Sequence, residues 1–141
     1  MIVKCYNKIY YCGKIHNAMK SFEHEIITFD RDTFIILDAK YYNLKFDEKT
    51  LDGQPGLEDI NKQYLYQLAL KDFINNHEFK VVKNALLFPK YDDGIENKGY
   101  VEIEILHDLF LENIQVIMLP ANKINQMYLE NKKISISDLN L

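Results

Sequence analysis

The feature that most constrains this chain is a pair of apolar runs, "EIITF" at 25–29 and "FIILDAKYY" at 34–42, joined by the polar cluster "DRDT". Both runs are rich in β-branched and aromatic residues, and a short polar turn between two such runs predicts an antiparallel hairpin. Side chains alternate between the two faces of a strand. The second strand therefore sets Phe34, Ile36, Asp38, Lys40 and Tyr42 on one face and Ile35, Leu37, Ala39 and Tyr41 on the other. Its first four residues suit a core, where a polar group costs stability unless it is paired. Asp38 and Lys40, with Cα atoms roughly 7 Å apart on one face, either form a salt bridge at the strand end or are aimed at a substrate.

After the hairpin, "LKFDEKTLDGQPG" is a loop marked by Gly53, Pro55 and Gly56. Leu57, Ile60, Tyr64, Leu68 and Phe73 then recur at helical steps, predicting a helix from Leu57 to about Asn76, with Glu58 and Asp59 in a first turn that favours acids. On it Gln63 and Gln67 stand one turn apart, with Tyr66 near that face. Three strands are expected next, in "KVVKNALLF", "YVEIEIL" and "IQVIML", with "YDDGIENKG" as the loop between the first two. A short helix follows at about Lys123 to Asn131. Residues 2–21 read equally as a short strand or a weak helix. The order β-β-α-β-β-β-α predicts one mixed α/β domain over 1–141, a central sheet flanked by helices.

Composition narrows the function. The net charge is −4, whereas a protein that grips DNA through a broad basic surface is expected to be basic. Any nucleic-acid contact must therefore use a local patch, a metal ion or a partner. Lys80, Lys83 and Lys90 fit either a phosphate track or a solvated strand edge. Cys5 and Cys12 match no redox or zinc motif, and His16, His24, His77 and His107 show no ligand spacing, which argues against zinc. No apolar run approaches a membrane span and the start is a poor signal peptide, so the expected location is the cytoplasm.

Glu23 and Glu25 stand at the start of the first hairpin strand and Asp38 at the end of the second. Carboxylates on adjacent antiparallel strands suit a hard divalent cation. A lysine beside them can orient the attacking water or stabilise charge on a phosphate. That combination is a physical design for phosphodiester hydrolysis.

Asp38, Ala39, Lys40, Tyr41 and Tyr42, followed after a gap by Pro55, Gly56, Asp59, Ile60, Lys62, Gln63 and Tyr66, resemble the PD-(D/E)xK nuclease superfamily. More narrowly, roughly residues 25–128 are similar to LlaJI-type restriction endonucleases and to the McrC-like nuclease subunits. The resemblance implies a restriction-endonuclease-like fold, a mixed β-sheet core flanked by helices. It implies cleavage of DNA with Mg²⁺ or Mn²⁺, with Asp38 as the central metal ligand, Lys40 as the catalytic lysine and Gln63 as the supporting glutamine. Glu25 stands where the family has an aspartate, and the carbonyl of Ala39 completes the ligand set. It also implies partners: an McrB-like AAA+ GTPase and, since a duplex has two strands to cut, a homodimer. The family's upstream helix finds no match before the hairpin, so the N-terminal part reads as shortened.

Blander readings stand beside these. Asp38 and Lys40 form an edge salt bridge, Gln63 and Gln67 are solvated, and the tyrosines are core and rim aromatics. Two other functions remain open: a catalytically degenerate domain that serves binding or assembly, and a Holliday-junction or repair nuclease.

Overall fold

The computed structural model describes residues 3–5, 8–10, 25–30, 32–42, 44–46, 51–52, 55–132 and 134–141. Glu23, Cys12, His16, His24 and the turn at Gly53 lie outside them. The strands are β1 (Val3–Cys5), β2 (Lys8–Tyr10), β3 (Glu25–Asp30), β4 (Thr33–Ala39), β5 (Lys45–Phe46), β6 (Leu51–Asp52), β7 (Val81–Lys90), β8 (Glu96–Val101) and β9 (Ile114–Pro120). The helices are α1 (Leu57–Ala69), α2 (Lys71–Asn76) and α3 (Ala121–Leu129), with 3₁₀ turns at Glu104–Leu109 and Ile136–Leu139. Seven strands form one mixed sheet in the order β2-β1-β3-β4-β7-β9-β8, and β5 pairs with β6 separately.

The expected hairpin is β3–β4, in the register Glu25↔Asp38 through Asp30↔Thr33. From β4 the chain crosses through α1 and α2 to β7, which pairs parallel to β4, and β9 pairs parallel to β7. β4 is thus flanked on both sides, which is why its residues from Phe34 to Asp38 are buried. Phe34 and Ile36 pack with Tyr66, Leu70 and Ile74 under the helices. Leu86, Phe88, Ile114, Val116 and Met118 continue that layer around Tyr64. On the opposite face Ile35, Leu37, Ala85, Leu87 and Ile117 are covered by Leu139, with Ile134, Ile136 and Leu141 against them. That cover is the C-terminal segment rather than a long helix, and no residue of α3 is buried.

Three boundaries differ from expectation. The helix over Leu57–Asn76 is divided at Leu70, which caps one helix and opens the next with φ of −96° and ψ of 0°. The hydrogen-bond chain nevertheless continues from Leu70 N–H to Tyr66 O and from Ile74 N–H to Leu70 O. β8 lies earlier than "YVEIEIL", and residues 104–109 turn into a 3₁₀ helix. Val101 pairs with Ile114, the first residue of β9. A continued ladder would need Glu112, whose N–H and C=O are both held by the Gln67 amide at 2.8 and 2.7 Å. The period-two pattern therefore had no strand left to pair with. β7 runs through Pro89 to Lys90, and its proline tells on β4: Lys40 N–H still donates to Leu87 O at 2.8 Å, but position 89 has no N–H to extend the ladder. The chain leaves the sheet just where Lys40 needs to turn.

Candidate active site

Asp38 is the only buried charged side chain among the described residues, 2% exposed. Two donors converge on its Oδ2: Gln63 Nε2 at 3.2 Å and Lys40 Nζ at 2.9 Å. Lys40 Nζ also donates to Asp59 Oδ1, and the Tyr42 hydroxyl donates to Asp59 Oδ2 at 3.2 Å. Two elements supply these groups in pairs. Asp38 and Lys40 are two residues apart on the strand, about 6.8 Å of rise, and Asp59 and Gln63 are four apart on α1, about 6 Å. The near equality of those spacings lets one helix turn meet both charges at once, Gln63 on Asp38 and Asp59 on Lys40.

Burial works to lower the Lys40 pKa. The hydrogen bonds to Asp59 and Asp38, and the charges of both carboxylates, outweigh it and hold the pKa above its ordinary value. The lysine is thus a fixed cation at neutral pH. The Tyr42 pKa is raised, first by burial and then by the Asp59 carboxylate.

A second polar layer backs the first. Asn84, on β7, donates from Nδ2 to the main-chain oxygen of Gln63 at 3.1 Å. Gln63 and Asn84 are fully buried, and Gln63 Oε1 and Asn84 Oδ1 have no hydrogen-bond partner among the described residues. Burying such acceptors costs stability, so the amides are held here by what their NH₂ groups do. Gln67 is buried as well, and its clamp on Glu112 ties α1 to the segment entering β9.

Of the residues expected from the sequence, Asp38, Lys40 and Gln63 come together. Glu25 opens β3 as the direct cross-strand partner of Asp38, and Ala39 ends β4 between Asp38 and Lys40. Asp30 pairs with Thr33 at the far end of the hairpin and is excluded from the site. The Asp38–Lys40 pair forms at the end of β4, with Asp38 buried and Lys40 half-buried, not as an exposed edge bridge. Tyr66 and Tyr64 are core residues, whereas Tyr41 is exposed and Tyr42 lies at the rim. Lys80 and Lys90 bracket a ten-residue strand, about 33 Å apart, and pair with Asp32 and Glu96. They do not make one phosphate track. Asp59, expected from the sequence as a first-turn acid of the helix, joins the site through Lys40. The signal was its four-residue spacing from Gln63, matched to the two-residue spacing of Asp38 and Lys40.

The Asp38 carboxylate and the main-chain carbonyl of Ala39 are oxygen groups, the type of ligand that suits Mg²⁺ or Mn²⁺ rather than a thiophilic metal. The Lys40 ammonium already occupies the electrostatic position of a cation beside Asp38. Among the described residues no three His, Cys, Asp or Glu side chains gather into a ready metal cluster, so an ion here would rest on Asp38 with oxygen groups of the hard-cation type.

Comparison with known proteins gives the same direction. The family profile described as LlaJI restriction endonuclease matches residues 9–125. The chain is 38% identical over 125 residues to the type II restriction enzyme BsuMI component YdjA of Bacillus subtilis (strain 168). That match takes in 87% of this chain and 25% of the relative, so the chain spans about a quarter of the length of the curated protein it matches. No solved structure matches it.

Proposed function

This chain belongs to the LlaJI restriction endonuclease family, and from that premise we propose that it is the DNA-cleaving domain of a restriction system, a hydrolase of phosphodiester bonds that depends on Mg²⁺ or Mn²⁺. The observation that carries the reading is the buried Asp38 held by Lys40 and Gln63, directly across the ladder from Glu25. Opposed residues of an antiparallel pair have Cβ atoms about 4.5–5.5 Å apart, a separation that two carboxylates sharing one ion can span. Asp38, Glu25 and the Ala39 carbonyl would hold the ion. It would supply Lewis acidity to the scissile phosphate and to the attacking water.

The protein's own groups do the rest. Gln63 fixes Asp38 by donating to Oδ2. Lys40, cationic at neutral pH, stabilises the negative charge that gathers on the phosphate as water attacks. The glutamate at position 25 is one methylene longer than the aspartate the family has there.

A net charge of −4 supports a division of labour in which other subunits supply most phosphate contacts. The relative is itself named as a component of a restriction enzyme. An McrB-like AAA+ GTPase fits that role, and pairing of two copies would allow both strands to be cut. The test is plasmid cleavage with Mg²⁺ or Mn²⁺ by the native protein, Asp38→Asn, Lys40→Ala and Glu25→Gln, alone and with the partner subunits. Cleavage by the native protein alone upholds the reading. Equal cleavage by all four moves the site elsewhere. No cleavage in any mixture, with no cation bound, favours a degenerate assembly domain.

A further inference from the structure

Lys40 has two carboxylate partners, and they are not equivalent. Asp38 is buried, and under the proposed function it is also the ligand of an incoming divalent ion. Asp59 is 29% exposed along its side chain, belongs to the helix rather than the strand, and is oriented from its other oxygen by the Tyr42 hydroxyl. It sits in the first turn of α1, where the helix dipole favours a negative charge. When a divalent ion takes Asp38, the ammonium loses that partner and is repelled by the new charge. A lysine side chain is long and rich in rotamers, and with no second anchor it would leave for solvent.

We infer that Asp59 is a positioning residue: it takes over the Lys40 ammonium when a divalent cation engages Asp38, so that cation and lysine occupy the site together instead of excluding one another. This rests on the proposed metal-dependent reading. Asp59 acts through Lys40 and is not a ligand of the ion. Two consequences separate it from a structural salt bridge. Without Asp59, Lys40 pairs with Asp38 alone and competes with the ion more strongly. Without Lys40, Asp59 has little left to do for the ion.

The experiment is Mn²⁺ binding to the intact protein, read by the loss of the free-ion electron paramagnetic resonance signal. It compares the native protein, Asp59→Asn, Asp59→Glu, Lys40→Met and the double variant Lys40→Met/Asp59→Asn, with thermal unfolding as the check on folding. Lys40→Gln replaces Lys40→Met if the latter does not fold. Asp59→Asn is expected to weaken Mn²⁺ binding about tenfold, the coupling expected of charges that share a partner. Lys40→Met is expected to bind more tightly than native protein. In the Lys40→Met background Asp59→Asn is expected to change affinity by less than about twofold, and Asp59→Glu is expected to restore most of the native affinity. Single-turnover cleavage should show Asp59→Asn losing rate at saturating Mn²⁺ with unchanged DNA half-saturation. An equal loss of Mn²⁺ affinity in both backgrounds would make Asp59 a ligand or a mere source of field, and the inference would fall while the nuclease reading stood. Native protein that neither binds Mn²⁺ nor cleaves DNA would remove the nuclease reading and this inference with it.

Discussion

Gln63 Nε2 lies 3.2 Å from Asp38 Oδ2, joining the middle of α1 to the end of β4. The bond is fully buried, so removing it exposes neither group to water. Gln63→Leu keeps the volume and deletes the donor, leaving the carboxylate with Lys40 as its described donor. A buried hydrogen bond to a charged group contributes about 1.5–3 kcal/mol. Leucine also removes the orphan Oε1, which offsets part of that loss. The expected cost is about 1 kcal/mol of unfolding free energy, measured by urea denaturation, with a larger fall in cleavage because Asp38 is no longer held. An unchanged midpoint together with full cleavage would mean that this contact neither stabilises the fold nor supports the site.

Gln67 reads at first as a solvated helix residue, yet its amide makes both hydrogen bonds of a strand neighbour to Glu112. Gln67→Ala leaves the Glu112 N–H and C=O to water on a partly buried segment. The two bonds together are expected to contribute about 1–2 kcal/mol. Hydrogen exchange at the Glu112 amide should quicken more than exchange in β4, whose ladder is untouched. Uniform quickening across the sheet would show only global destabilisation, and an unaltered Glu112 amide would mean the clamp does not form.

Much of this was legible in the sequence, for identifiable reasons. The hairpin and the two faces of its second strand followed from the alternation through Asp38, because a one-residue slip would have turned Phe34 and Ile36 away from the helices. That Asp38 and Lys40 share a face was legible from their spacing, and the place of Gln63 beside them was implied by the family resemblance. What the sequence did not show depends on partners distant along the chain. β8 stops at Val101 because Gln67 has occupied Glu112, a contact across 45 residues. Asn84 looks like a polar interruption of "KVVKNALLF" until α1 presents the Gln63 carbonyl above it. Gln63 and Gln67 look alike on the helix surface, and only packing shows that one serves the site and the other the fold.

Asn84 separates the value of its donor from the burden of its acceptor. Nδ2 bonds the Gln63 carbonyl, while Oδ1 is buried without a partner among the described residues. Asn84→Ala loses the bond but also removes the orphan oxygen, for an expected cost under about 1.5 kcal/mol. Asn84→Asp places a carboxylate in the same apolar surroundings, facing a carbonyl oxygen, and should cost about 3 kcal/mol or more at neutral pH. Its stability should recover as the pH falls and the carboxyl takes a proton. Equal stability of the two variants at pH 7 would show that water reaches this site.

The Lys40 ion pairs predict a pH dependence whose sign is fixed. Burial opposes the ammonium, but the hydrogen bonds and charges of Asp59 and Asp38 prevail, so the folded-state pKa lies above the ordinary 10.5. A group whose pKa is raised by folding contributes stability that is fully present below its unfolded value and is lost as the pH rises through its folded value. In metal-free protein, the difference in melting temperature between the native chain and Lys40→Met should therefore stay constant from neutral pH to about 9.5 and shrink above about 10.5. A pKa held above the ordinary value keeps the lysine charged near neutral pH, so under the proposed function it would act as a cation. Thermal unfolding of both proteins across pH 7–11 measures this directly. A difference that already declines between pH 7 and 9 would mean that Lys40 titrates in that range, and its role would then include carrying a proton.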